Sequence, residues 1–231
     1  MLRLDARPEP LDLDPRRVAV IVIDAQNDFA ASGGMYDRAG IDISGIAAAA
    51  LATRPVLDAA RAAGIPVVYL NMEHAPDLSD AGPSEGPHRV KHRPLALGDT
   101  VDAPDGSPSR ILIRDTWNTE NVPELAPEPG DIVVSKHRYS GFYETELDDV
   151  LRGLGVTHLL VTGCTTSVCV ESTVRDATFR DYTCVVLEDC TAEPLGTHDA
   201  SLKVIEALFG WVSNTDAVLA ALELERQTHS V

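Results

Sequence analysis

The feature of the sequence that most constrains the fold is an apolar run that ends in a carboxylate. Residues 18–23 read Val-Ala-Val-Ile-Val-Ile, and Asp24 follows directly. A continuous β-branched run without polar alternation is typical of a central parallel strand that is buried on both faces. The run therefore predicts a strand over 17–24, with Asp24 at its carboxyl end.

The rest of the chain alternates strand and helix patterns. Further strands are predicted at 65–70, 131–136, 158–162 and 183–188, and helices at 54–64, 144–153, 169–182 and 198–209. The first of these helices has Thr53 as its cap, Pro55 in its first turn and Gly64 as its stop. Right-handed βαβ crossovers produce a parallel sheet with helices on both faces. We therefore expect one α/β domain over 1–231, with three α/β/α layers around a central parallel sheet of five to six strands.

One long segment interrupts this alternation. Residues 71–110 are rich in Pro and Gly and show no clear periodicity. The segment is far longer than an ordinary connection in a compact domain, and such loops commonly bind ligands or cover active sites. Because ligands of parallel α/β sheets bind beyond the carboxyl ends of the strands, the segment is predicted to be a binding loop or a lid at that edge.

Composition and charge exclude several classes of function. The chain carries 36 acidic and 19 basic residues, a net charge of −17, which repels nucleic acid and anionic membranes. Its apolar runs are too short to span a bilayer, and its first ten residues lack the apolar stretch of a secretory signal. All four cysteines lie within 164–190 without a CxxC pair, so neither a disulfide framework nor a zinc site is indicated. We expect a cytoplasmic protein that binds a neutral or cationic small molecule and needs no cofactor.

One cysteine lies where a nucleophile would be useful. Cys169 follows the strand predicted at 158–162 and opens the next helix, where N–H groups and the helix dipole lower a thiol pKa and can hold an oxyanion. A buried structural cysteine in a strand-to-helix turn is the alternative. Cys164 and Cys184 lie in or beside apolar strands and are interpreted as packing residues. Cys190 lies among carboxylates, which would raise the pKa of its thiol.

Two charged residues end predicted strands at what should be the same edge of the sheet. Asp24 ends the first strand and Lys136 ends the strand 131–136, and parallel topology brings such ends together. Asp24 can then accept the thiol proton of Cys169, and Lys136 can hold both groups in their charged forms. A capping Asp and a solvated Lys are the alternatives.

None of the seven histidines stands out as a general base. His158, His198 and His229 are interpreted as structural or solvated residues. His88 and His92 are four residues apart, but prolines flank them and basic residues surround them. We therefore expect no metal site.

Three ordered motifs are IDAQNDF at 23–29, KHRYSGF at 136–142 and GCTTSVCVESTVRDA at 163–177. Over nearly the whole chain, they resemble the isochorismatase-like superfamily of cysteine hydrolases. The resemblance implies a Rossmann-like fold and a catalytic triad of Asp24, Lys136 and Cys169. It also implies a cis peptide bond between Cys164 and Thr165 and an oxyanion hole formed by the amides of Thr165 and Cys169.

Within that superfamily, the stretches GGMY at 33–36, KHRYSGF at 136–142 and FGWVSN at 209–214 are most similar to those of ureidoacrylate and biuret amidohydrolases. The resemblance implies a homo-oligomeric enzyme, dimer or tetramer, that cleaves a C–N bond of a small ureido, carbamoyl or amide substrate through an acyl-enzyme. The stretch Asn71-Met-Glu-His74 stands where ureidoacrylate enzymes carry an Asn and a Trp that bind substrate. The Asp-x-His metal motif that nicotinamidases have in the same region is missing from this sequence.

Aromatic residues near the strand ends are candidates for the substrate pocket. Phe29 and Tyr139 follow the two charged strand ends within five residues, and planar amide groups suit aromatic walls. With His74 and Trp117 they make up the predicted substrate-binding set. Trp117 could instead lie in a solvent-facing turn or in the core beneath the long loop.

Two other functions remain open at this point. An antibiotic lactam hydrolase that resembles streptothricin hydrolase would suit the acidic residues of the long loop, since its substrate is cationic. A non-catalytic binding or oligomerisation module of the superfamily is the alternative of another class. Alkylation of Cys169 well below the pH of an ordinary thiol would favour an enzyme.

Overall fold

A six-stranded parallel sheet forms the centre of the computed structural model, which describes residues 1–229. Its strands, β1 to β6 in chain order, are Val18–Ile23, Val67–Met72, Ile132–Lys136, His158–Cys164, Thr183–Ala192 and Trp211–Ser213. The strand order is β6-β5-β4-β1-β2-β3, and every neighbouring pair is parallel. The predicted parallel α/β architecture is confirmed, and β6 was not foreseen.

Helices cover both faces of this sheet. Within the described residues, the helices of six residues or more, α1 to α6, are Ser44–Ala62, Pro87–His92, Leu147–Gly153, Glu171–Thr178, His198–Leu208 and Thr215–His229. Even-numbered residues of β1 share a buried cluster with α1 and α6, and odd-numbered residues share one with α3, α4 and α5. Because β1 is buried on both faces, its sequence has no polar alternation.

Shorter helices and strands lie in the connecting segments. Helical turns at Asn27–Ala30 and Met35–Arg38 follow β1, and antiparallel pairs join Leu2–Leu4 to Leu11–Leu13 and Thr100–Asp102 to Pro108–Arg110. The segment 71–110, predicted without regular structure, therefore contains α2 and one of these pairs. Among the described helices, none has the length and apolar character that crossing a bilayer requires.

Helix α1 differs from its prediction. It begins at Ser44 rather than at 54, so Thr53 and Pro55 lie inside it. The alanine-rich residues before Thr53 have high helix propensity. The hydroxyl of Thr53 accordingly donates to the carbonyl of Ala49 within the helix, at 2.8 Å, instead of capping a helix start.

The strand order reverses at β1, which pairs with β2 on one side and with β4 on the other. Gly163 lets β4 approach β1 closely, because a Cβ at this position would lie 2.0 Å from the carbonyl oxygen of Ile23 and its φ is +109°. Only glycine accepts both conditions. In doubly wound sheets, ligands bind in the crevice at such a reversal.

Candidate active site

Asp24 and Lys136 form a fully buried ion pair beyond the strand ends. Asp24 follows β1 in the left-handed conformation, with φ of 52°, and its N–H donates to the carbonyl of Leu70 at 2.8 Å. Lys136 is the last residue of β3, and its Nζ donates to Oδ2 of Asp24 at 2.8 Å. Both side chains are 0% exposed. The parallel sheet thus brings the two predicted strand-end charges together.

Lys136 remains protonated despite its burial. Its Nζ also donates to the carbonyl of Arg138 at 3.3 Å and lies 3.6 Å from the sulfur of Met72. Burial opposes the charged form, but Asp24 and then Cys169 offset this effect and raise the pKa of Lys136.

Cys169 belongs to a π-helical turn, Thr166–Val170, between β4 and α4. Such turns often occur at functional sites. The residue is 5% exposed, and its thiol interacts with both Asp24 and Lys136. Burial, and next the charge of Asp24, raise the pKa of the thiol above its ordinary value. The expectation of a lowered thiol pKa is therefore wrong for the resting protein, because burial and the carboxylate outweigh Lys136.

The carboxyl group of Asp24 has one oxygen free for chemistry. Burial raises the pKa of Asp24, and Lys136 and the thiol of Cys169 only partly offset this effect. Oδ2 is paired with Lys136. Oδ1 is buried and accepts no hydrogen bond of ordinary geometry, although the thiol of Cys169 is close enough to affect the pKa of the carboxyl group. A free carboxylate oxygen beside a thiol is suited to accepting its proton.

Thr165 begins the turn that carries Cys169. The peptide bond between Cys164 and Thr165 is cis, as the family resemblance implied. The carbonyl of Thr165 accepts hydrogen bonds from the amides of Val168 and Val170, at 3.0 and 3.2 Å. Thr165 and Cys169 thus lie one turn apart at a helix start, a position that suits the predicted oxyanion hole. Their role in holding an oxyanion stays a prediction.

Tyr36 supports this turn and was not singled out from the sequence. Its hydroxyl is close enough to the side chain of Thr165 to affect the pKa of Tyr36, and its ring packs edge-to-face with Phe29 at a centroid distance of 5.2 Å. Phe29 is buried in the cluster that includes α1. The structure therefore links Phe29 to the site through Tyr36.

Trp117 packs beside the loop that follows β1. It opens the 3₁₀ turn Trp117–Thr119, and its carbonyl accepts a hydrogen bond from Asn27 at 2.8 Å. Its half-buried ring lies against the loop at Gly33. The structure places Trp117 with the loop that follows β1.

His74 lies in a buried histidine cluster made of His74, His88 and His92. Nδ1 of His74 is 3.0 Å from Oδ1 of Asp80, and its Nε2 is 3.2 Å from Nε2 of His88. Nδ1 of His92 is 2.8 Å from the carbonyl oxygen of His88. Pro87 begins α2, and the four-residue spacing then places His88 and His92 on one face of that helix. Sequence reasoning considered these two residues only as metal ligands and missed the cluster.

The histidine cluster borders the catalytic residues through Tyr139. The rings of His88 and His92 each lie 5.8 Å from the ring of Tyr139. Burial, and next the charge of Cys169, raise the pKa of Tyr139, and Lys136 contributes to the lowered pKa of His92. The predicted residues His74 and Tyr139 thus occupy one side of the site.

The three imidazoles are neutral near pH 7. Burial is the largest cause in each case, and it lowers the pKa of His74 to about 4, that of His88 to about 3, and that of His92 below its ordinary value. Within residues 1–229, no group of three or more His, Cys, Asp and Glu side chains is arranged to hold a metal ion.

Two buried polar residues of the first motif hold the surrounding loops. The amide of Gln26 donates to the carbonyls of Met72 and Thr119, at 3.0 and 2.8 Å, and accepts from the N–H of Met72 at 2.7 Å. Asp28 accepts from the N–H of Leu112 at 2.7 Å. Sequence reasoning did not assign these roles, although polar residues directly after a buried strand are a usable signal.

Known proteins resemble this chain over most of its length. The isochorismatase domain matches residues 18–217. The ureidoacrylate amidohydrolase RutB of Methylobacterium radiotolerans is 45% identical over 221 residues, which cover 95% of this chain and 84% of that protein. The ureidoacrylate amidohydrolase RutB of Klebsiella pneumoniae is 42% identical over 231 residues, which cover 96% and 94%.

Solved structures share the fold. A cysteine hydrolase from Pseudomonas syringae has a TM-score of 0.77 and 30% sequence identity, covering 92% of this chain and 95% of that chain. The N-carbamoylsarcosine amidase from Thermoplasma acidophilum has a TM-score of 0.65 and 26% identity, covering 87% of this chain and 97% of that chain.

Proposed function

Because the chain belongs to the isochorismatase family, we propose that it is a cysteine amidohydrolase that cleaves a C–N bond of a small ureido, carbamoyl or amide substrate. One observation carries the proposal: the buried pair of Asp24 and Lys136 interacts with the thiol of Cys169 where the strand order reverses. A base, a cation and a nucleophile at a ligand-binding crevice are the components of covalent hydrolysis.

The geometry supports a two-step reaction through an acyl-enzyme. Asp24 Oδ1 accepts the thiol proton as the sulfur of Cys169 attacks the substrate carbonyl, and the amides of Thr165 and Cys169 hold the resulting oxyanion. Asp24 then gives this proton to the leaving nitrogen as the C–N bond breaks. In the second step, water loses a proton to Asp24 and hydrolyses the thioester, which restores the thiol.

Lys136 stabilises the negative charge before and after this proton transfer, and the transfer leaves the net charge of the buried site unchanged. When the proton moves from Cys169 to Asp24, the negative charge moves from the carboxylate to the sulfur, and Lys136 interacts with both groups. The thiolate therefore forms only as Asp24 becomes neutral. This coupling accounts for a thiol that rests protonated and still acts as a nucleophile.

The names of the relatives suggest the substrate class. Ureidoacrylate and N-carbamoylsarcosine, the compounds named for two of them, both contain a carbonyl bonded to two nitrogens, and we propose that Cys169 attacks such a group here. Since Cys169 is 5% exposed, admission of substrate requires an opening. The segment 71–110 with α2 is the proposed lid.

A substrate panel with nucleophile variants tests this function. Ureidoacrylate, biuret, N-carbamoyl amino acids, simple amides and a lactam are scored by ammonia release and product mass. We expect ammonia from ureido compounds, and Cys169→Ala and Cys169→Ser should lower the rate by on the order of 10⁴-fold with unchanged circular dichroism. Mass gain without ammonia would support a lactam hydrolase instead. Wild-type rates in the Ala variant, or no turnover of any compound, would contradict the proposal.

We also propose a cytoplasmic homo-oligomer, dimer or tetramer, with a small molecule as its substrate. Large apolar side chains are exposed on neighbouring elements: Phe179 is 70% exposed after α4, and Leu208 is 72% exposed at the end of α5. Burying such side chains between copies is favourable. Light scattering coupled to gel filtration tests the state, and a monomer at micromolar concentration would contradict it.

A further inference from the structure

The hydrogen bonds of the histidine cluster determine the tautomer of each ring. The carboxylate of Asp80 is an acceptor, and its Oδ2 already accepts from the N–H of Ala75 at 2.8 Å and from Arg114 at 2.9 Å. Nδ1 of His74 must therefore donate to Oδ1 of Asp80 across their 3.0 Å distance. A neutral His74 then has its lone pair on Nε2.

That lone pair orients the next two rings. Because Nε2 of His74 accepts, Nε2 of His88 must donate across 3.2 Å, which leaves Nδ1 of His88 as an acceptor. Nδ1 of His92 lies 2.8 Å from a backbone carbonyl and must donate to it, which leaves Nε2 of His92 as an acceptor. The nitrogens that remain for a ligand are thus acceptors.

The histidine cluster lies on the side of the site opposite the predicted oxyanion hole. The cluster follows β2 and contacts Tyr139 just beyond β3, whereas Thr165 follows β4. In the strand order, β1 separates β4 from β2. A substrate whose carbonyl oxygen points toward Thr165 therefore extends its far end toward the cluster.

We propose that the histidine cluster selects substrates whose far end is a neutral hydrogen-bond donor, such as a carboxamide or a second ureido group, over substrates that end in a carboxylate. The inference rests on the proposed function, since it concerns the substrate of Cys169. A carboxylate would meet lone pairs without a proton to share, whereas an NH₂ group can donate to them.

Two nearby guanidinium groups bond in part to the protein itself. Nη1 of Arg138 donates to the carbonyls of Asp80 and His137, at 2.9 and 2.6 Å. Arg114 pairs with Asp80 at 2.9 Å. The net charge of −17 acts in the same direction, because it disfavours an anionic ligand.

A matched substrate pair tests the selection. Ureidoacrylate and its carboxamide differ only in the far group, and we expect the wild-type kcat/KM to favour the carboxamide by about tenfold or more. His92→Phe keeps an aromatic ring beside Tyr139 but removes the acceptor, so the preference should fall toward one, mainly through KM. His158→Phe, at the amino end of β4, is the control and should keep the wild-type preference.

A binding measurement separates this inference from the proposed function. Protection of Cys169 from iodoacetamide by each compound reports occupancy without requiring turnover. Stronger protection by the carboxamide without hydrolysis of either compound would contradict the proposed function and uphold the selection. Equal protection, or a preference for the acid that Arg138→Gln abolishes, would overturn the selection whether or not hydrolysis occurs.

Discussion

At the scale of single residues, Asp24 affects Cys169 in opposite ways before and during reaction. Its charge raises the pKa of the resting thiol, yet its free oxygen is the proposed acceptor of the thiol proton. In Asp24→Asn we expect kcat/KM to fall by about 10²- to 10⁴-fold. Alkylation by iodoacetamide at mildly alkaline pH should become faster, because Lys136 then stabilises the thiolate unopposed. Alkylation slower than in the wild type would mean that Asp24 activates the thiol already at rest.

Removing only one charge of the pair of Asp24 and Lys136 should destabilise the protein strongly, whereas removing both charges should destabilise it little. Lys136→Met leaves a fully buried carboxylate without its cation, so the free energy of unfolding should fall by about 3–5 kcal/mol. The double variant Asp24→Asn with Lys136→Met removes both charges and should recover most of that stability without recovering activity. Urea denaturation measures both values. A double variant as unstable as Lys136→Met would show that packing, not the unpaired charge, is responsible.

At the scale of elements, Gly163 is required where β4 approaches β1. Gly163→Ala would place Cβ 2.0 Å from a backbone oxygen at positive φ, so we expect an insoluble protein or a loss of several kcal/mol in unfolding free energy. Gly153→Ala, at the end of α3 with no atom near the added carbon, is the matched control and should be neutral or slightly stabilising. Thermal unfolding of the soluble forms compares them, and similar midpoints would contradict the close approach.

The same elements show what the sequence could and could not predict. The ends of β1 and β3 were predictable because a charged residue that closes an apolar strand needs a partner, and parallel strands supply one. The start of α1 differs from its prediction because Pro55 is typical of a first turn, whereas the helix propensity of the alanine-rich residues upstream is stronger. The resting state of Cys169 and the contact of His74 with His88 depend on burial and long-range packing, which local patterns do not encode.

At the scale of the whole molecule, buried groups change stability in opposite directions as the pH falls. His74 and His88 have pKa values of about 4 and about 3, below the ordinary 6.5. The folded state therefore binds fewer protons than the unfolded state in this range, and stability is lost as the pH falls below about 6.5. Burial raises the pKa of Asp28 from 3.8 to about 6, so its contribution increases stability as the pH falls through that window. The shrinking net negative charge also relieves repulsion.

The histidine contribution can be isolated with His88→Asn. The amide of an Asn can still donate to His74 but does not titrate, whereas the contribution of Asp28 and the net charge change with pH alike in both proteins. We expect the midpoint of thermal unfolding to decrease more steeply for the wild type than for the variant between pH 6.5 and pH 4.5. Over this pH range the midpoint should decrease by several degrees more in the wild type than in the variant, because 1 kcal/mol corresponds to about 2–4 °C for a domain of this size. Parallel profiles for wild type and His88→Asn would contradict a neutral, buried His88 and, with it, the tautomers that make the cluster an acceptor.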